Sequence, residues 1–196
     1  TPPMSLRPEK AGVIERWIEA YMGRLVELGY RNQFFNLEFW IMPDGSVALT
    51  EINPRAAHSY HYNYLYSFGC SLYEDNLELV RTGREPSSTP WQLWRSGEDF
   101  VHTLIVLITS KEAGKVEEIL DYNYVEYLEK IDGVLIRHNK RRDEHIAEGE
   151  LTVAGVMLLQ LWVTGRTPEE VIAREREIRE KIYLRPQDAG EYPPHW

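Results

Sequence analysis

The segment that most constrains this chain is short. Pro43-Asp44-Gly45-Ser46 separates two runs rich in aromatic and branched residues, 34–42 and 47–53. Asp-Gly between strand formers is the strongest short-range signal for a β-hairpin, because the favoured tight turn needs left-handed backbone that Gly adopts without steric cost. With a two-residue Asp44-Gly45 turn, Pro43 faces Ser46, and counting outward sets Glu38 opposite Glu51 and Asn36 opposite Asn53. Pro43 has no N–H to give to the turn, so the pairing is open to a one-residue slip that a longer loop would restore. Period-2 alternation along the second strand places Val47, Leu49, Glu51 and Asn53 on one face.

Like charges directly across an antiparallel pair are destabilising unless a cation, a basic side chain or protonation relieves them. Two carboxylates and the Asn53 amide oxygen make a hard-oxygen set of the kind that suits Mg²⁺, which completes its shell with water and substrate phosphates. Arg55, two residues further on, is expected on the same side, where its planar fork would meet phosphate or carboxylate. The competing reading is a solvated sheet face whose acids are paired by Lys or Arg from elsewhere.

Around the hairpin, residues 9–29 carry apolar side chains at helical spacing from Val13 to Val26, with Gly29 available as a left-handed cap. Ser71-Leu72-Tyr73-Glu74 reads as a capping box opening a helix that stops at Gly83, with Pro86 beyond and a loop over 87–97. The second half predicts a strand over 100–109, a helical stretch over 113–131, a strand over 134–137, one long or two short strands over 151–163 with Gly155 at the bend, and a helix from Thr167-Pro168-Glu169-Glu170 to about Ile182. The class is α+β, with an irregular tail over 185–196.

At 196 residues and 43% hydrophobic, the chain can bury a core, and no apolar run reaches bilayer length. A net charge of −9 works against sequence-independent nucleic-acid binding. The single cysteine, Cys70, rules out an internal disulfide and suits a reducing compartment, with the cytoplasm as the default. A first residue that is not methionine reads as a fragment or a processed product.

The string Phe35-Asn36-Leu37-Glu38-Phe39, followed past the turn by Thr50-Glu51-Ile52-Asn53-Pro54-Arg55, resembles the ATP-grasp superfamily. It is closest to the branch of biotin carboxylase, carbamoyl phosphate synthetase and the L-amino acid ligases. The resemblance implies that Glu38, Glu51 and Asn53 bind the metal of MgATP (or its Mn²⁺ form) and that Arg55 contacts the transferring phosphoryl group. It also sets His58 on the acceptor side. The implied organisation is an ATP-grasp C-terminal lobe over 1–86, an antiparallel sheet with helices, then a small α/β domain over 98–184 and the tail. The implied activity is ATP-dependent joining of a carboxylate and an amine through an acyl phosphate, with bicarbonate activation and a non-catalytic module as alternatives. The expected partners are the small-molecule substrates and a missing N-terminal lobe, in cis or from another chain, that would bring the Gly-rich loop and phosphate-binding lysines. A homodimer is compatible, nucleic acid and membrane are not expected, and the isolated piece should not turn over.

Weaker signals read as structural. His58 and His61 have a His-x-x-His spacing but no third ligand, so His61 is assigned to packing among tyrosines. Cys70 is read as buried, Lys140-Arg141-Arg142 as a loop facing its own acids, and Trp91, Trp94 and Trp162 as core or interface.

Overall fold

The computed structural model describes residues 8–42, 44, 46–84 and 101–185, with the side chains of 8–11 and of His58 outside the description. The expected loop over 87–97, Pro86, Trp91, Trp94 and the tail from 186 onward therefore lie outside the described residues. The chain forms two compact units, Thr1–Asp99 and Phe100–Trp196. Among the described residues no helix is long and apolar enough to cross a membrane.

In the first unit α1 (Pro8–Glu27) precedes the hairpin of β1 (Asn36–Ile41) and β2 (Val47–Asn53), a 3-10 turn over His58–Tyr60, α2 (His61–Phe68) and α3 (Leu72–Thr82). α1 ends in a Schellman-type cap: Tyr30 N donates to Leu25 O at 3.0 Å and Gly29 N to Val26 O at 3.0 Å, with Gly29 at φ 88°. The start of α3 is as the sequence predicts, since Ser71 Oγ accepts from Glu74 N at 3.3 Å. Its end is too, with Gly83 left-handed at φ 67° and its N–H on Leu79 O at 2.8 Å. Trp17 of α1 meets the edge of Phe39 with ring centroids 5.0 Å apart, fixing which face of the hairpin packs on the helix. Cys70 and Leu72 are the only buried apolar side chains among the unit's described residues.

The second unit contains β3 (His102–Ser110), β4 (Gly114–Lys115), α4 (Val116–Ile119), α5 (Tyr122–Leu128), β5 (Val134–His138), β6 (His145–Ile146), β7 (Val156–Gly165) and α6 (Pro168–Ile182). β7 is the centre of an antiparallel three-stranded sheet, between β3 and β5. That place explains its unbroken buried run from Leu158 to Val163. The paired residues Val106/Leu161, Ile108/Leu159 and Ile136/Leu161 turn one face into a core with Val171, Ile178 and Ile182 of α6. Each fully buried aliphatic side chain of this kind contributes roughly 1.5–3 kcal/mol. The edge of β3 is closed by Tyr183, whose Oη accepts from Thr109 N at 3.2 Å and donates to Thr109 O at 2.9 Å. The edge backbone there is no longer a template for another strand.

One helical stretch over 113–131 is not what forms. Leu120 is extended (ψ 140°) and pairs with Tyr183, and Asp121 then caps a new helix by accepting from Asn123 N and Tyr124 N. The capping aspartate is a helix start inside an apparently continuous apolar pattern. The stretch over 151–163 is one strand beginning after Gly155, which sits at φ 82°. Lys140 is held by Glu144 and Glu150 at 2.8 and 2.7 Å, and Arg142 pairs with Glu117 and Glu126 while lying over the Tyr122 ring. The basic run lies in a loop between strands, as expected, and its pairing reaches beyond the adjacent acids to Glu117, Glu126 and Glu150; Trp162 is buried.

Candidate functional site

The hairpin pairs Asn36 with Asn53, Leu37 with Ile52 and Glu38 with Glu51, as the turn count predicts. Nearer the turn the pairing differs. Phe39 faces Leu49, Trp40 faces Ala48 and Ile41 faces Val47, and Met42 N donates to Ser46 O at 2.9 Å. The pairing next to the turn is thus one residue away from the count, which is the slip that Pro43 permits. Asp44 accepts from Ser46 N at 2.8 Å and from Ser46 Oγ at 2.7 Å. A bulge between Glu38 and Phe39 on β1 leaves Thr50 as the extra residue of β2 and restores the outer register.

The bulge corrects the expected face assignment. Directly opposed residues share a face, so Val47 and Leu49 lie with Ile41 and Phe39 on the side that Trp17 touches. Glu51 and Asn53 lie with Glu38 and Asn36 on the other side. Val47 and Leu49 do not share the face of Glu51 and Asn53, because Thr50 breaks the alternation. The second face holds two mirrored pairs: Asn36 Nδ2 donates to Glu38 Oε1 at 3.2 Å, and Asn53 Nδ2 donates to Glu51 Oε1 at 2.8 Å. Both carboxylates are exposed, and among the described residues neither forms an ion pair with a lysine or arginine. Trp40, 65% exposed, is two residues beyond Glu38 on the same face, opposite Ala48.

Arg55 follows in a tight turn, its N–H on Asn53 O at 2.8 Å, and its guanidinium donates to Ala56 O at 3.3 Å. It is exposed and pairs with neither carboxylate. The 3-10 turn begins at His58, whose side chain is outside the description. His61 is buried between aromatic rings, 5.0 Å from Tyr62 and 4.1 Å from Tyr73 by centroid, so its place is a packing one. Cys70 is buried as expected. Among the described residues no group of three or more His, Cys, Asp or Glu side chains converges as a metal cluster. Two carboxylates and the Asn53 amide oxygen are a set that would fit a hard divalent cation sharing its shell with water and phosphate. Asn36 is the residue the sequence reading did not assign a role, although Asn36-x-Glu38 and Glu51-x-Asn53 mirror each other about the turn.

No family model matches the chain, and no curated protein matches it. Solved structures do. An L-amino acid ligase from Bacillus licheniformis matches with a TM-score of 0.69 at 19% identity, over 94% of this chain and 43% of that one. A phosphoribosylglycinamide synthetase from Anaerococcus prevotii matches with a TM-score of 0.61 at 19% identity, over 93% and 44%. A biotin carboxylase from Campylobacter jejuni matches with a TM-score of 0.57 at 14% identity, over 93% and 37%. The chain spans less than half the length of these proteins. All are ATP-grasp enzymes, and the fold of this chain is that of the matching part of them.

Proposed function

We propose that the chain supplies the cation and phosphate side of the ATP site of a carboxylate–amine ligase working through an acyl phosphate. The observation that carries the reading is the pairing of Glu38 with Glu51, each held by an asparagine and neither, among the described residues, by a base, on an exposed sheet face. Repulsion between directly opposed carboxylates is a cost that a bound cation would relieve. Glu38, Glu51 and the Asn53 amide oxygen would hold Mg²⁺, or Mn²⁺, whose contribution is to neutralise charge on the phosphate oxygens. Arg55, leaving the strand two residues later, would orient the phosphoryl group with its fork, and His58 would face the acceptor. The amine-ligase reading stands ahead of bicarbonate activation because the amino acid ligase is the better structural match of the two compared, TM-score 0.69 against 0.57.

The second unit is assigned in this reading to the small C-terminal domain of such ligases, and the cytoplasm to the protein. A further lobe, in cis or from another chain, completes the site, and the chain alone does not turn over. Two observations support the lobe: the chain spans 43% of the amino acid ligase, and its first unit leaves Trp40, Ile41, Met42, Leu77 and Val80 exposed around a minimal core. The test is calorimetric titration with Mg²⁺ and a non-hydrolysable ATP analogue. Binding lost in Glu51→Ala supports the assignment, and binding indifferent to that substitution refutes it.

A further inference from the structure

Asparagine is a poor strand former, yet one opens β1 at position 36 and another closes β2 at position 53, directly opposite each other. Their amides do equivalent work. Each N–H reaches along its own strand to the carboxylate two residues away, Asn36 to Glu38 and Asn53 to Glu51. Asn53 belongs to the donor set already described; Asn36 has no place in it. Glu38 has no other hydrogen bond or ion pair among the described residues, so Asn36 alone holds a long, rotatable carboxylate on the sheet face. One oxygen is engaged and the other is left for a cation.

The geometry points to Asn36 as a positioning residue for cation binding: it fixes the Glu38 carboxylate opposite Glu51 before the ion arrives. This rests on the cation-site reading above. Groups that orient a metal ligand without touching the metal are worth about tenfold or more in affinity when removed. Asn36→Leu keeps the side-chain volume and removes the donor. The probe is Mn²⁺ alone, bound to the full chain and followed by water-proton relaxation, with thermal unfolding measured in parallel.

The expected result is about tenfold weaker Mn²⁺ binding by Asn36→Leu, with an unchanged unfolding midpoint. The same substitution in a Glu38→Gln background should cost nothing further, because its effect runs through that carboxylate. Equal losses in both backgrounds would mark a general loosening of the hairpin and overturn the proposal. If Glu51→Gln loses Mn²⁺ while Asn36→Leu binds like the wild type, the cation site stands and this inference alone falls. Wild-type protein that binds no Mn²⁺ overturns both.

Discussion

Replacing Glu51 by Gln should make the first unit more stable while removing its affinity for divalent cations. The substitution keeps the acceptor for Asn53 Nδ2, which now reaches Oε1 at 2.8 Å, and deletes only the charge. Directly opposed side chains have Cβ atoms about 4.5–5.5 Å apart. Two unit charges about 5 Å apart in a medium close to water repel by about 0.8 kcal/mol. At physiological salt, with a Debye length of about 8 Å, roughly half of that survives. A gain of about 0.4–0.8 kcal/mol in a unit this size raises the unfolding midpoint by roughly 2–5 °C. Differential scanning calorimetry at low and at molar salt reads it, and the gain should nearly vanish at molar salt, where the Debye length is about 3 Å.

Magnesium should invert the order. If the wild-type site holds the ion with a dissociation constant near millimolar, about 10 mM Mg²⁺ stabilises the wild type by roughly 1.4 kcal/mol, and the Gln variant by little. The wild type then unfolds last. A Glu51→Gln protein that melts lower than wild type at low salt without magnesium would refute the reasoning. It would mean that some positive group already neutralises the pair, which is the solvated-face reading.

The second unit offers sharper stability tests. Tyr122 Oη is buried without a hydrogen-bond partner, so Tyr122→Phe should be neutral or stabilising by about 1 kcal/mol in chemical denaturation. Gly155 is left-handed at φ 82°, and a Cβ there would meet Ser110 O at 2.8 Å; Gly155→Ala should lower stability by roughly 1–3 kcal/mol in the same assay. The hydrogen bonds from Lys140 hold the Glu144 and Glu150 carboxyls below their usual range. Lowered folded-state values mean stability that is present above the unfolded carboxylate range and lost as pH falls through the folded values. Lys140→Met should therefore flatten the acid limb of the pH–stability curve, and an unchanged limb would show that the pair contributes nothing.

Much of this architecture was legible in local signals. Asp44-Gly45 located the hairpin, Ser71 and Gly83 bracketed α3, and Thr167-Pro168 opened α6, because turns and caps depend on single residues whose chemistry is visible in isolation. The break at Leu120 was hidden because the apolar spacing runs on through it. Only the bridge to Tyr183 and the Asp121 cap reveal it. The Asn36–Glu38 hydrogen bond was hidden for a different reason: the mirror symmetry of the two Asn–Glu pairs has no meaning until the register is known.

The bulge was the least legible feature, and energetics explain why it forms. Carried on from Phe39/Leu49 without a break, the ladder would set Glu38 against Thr50 and Glu51 against Leu37. Glu51 would then join Phe39 on the face against Trp17 of α1. That face is half-buried, with Leu37, Phe39, Leu49 and Ile52 partly covered, so a carboxylate placed there loses part of its hydration and displaces an apolar side chain to solvent. A bulge interrupts the ladder at one residue, and the forgone hydrogen bonding costs about 1 kcal/mol where water can replace it. Thr50 is therefore extruded, Leu49 and Ile52 both stay on the apolar side, and Glu51 reaches Glu38. The face assigned by simple alternation fails because keeping Leu49 and Ile52 together on the half-buried side and Glu51 in water outweighs one imperfect rung, and that same imbalance is what sets Glu51 against Glu38.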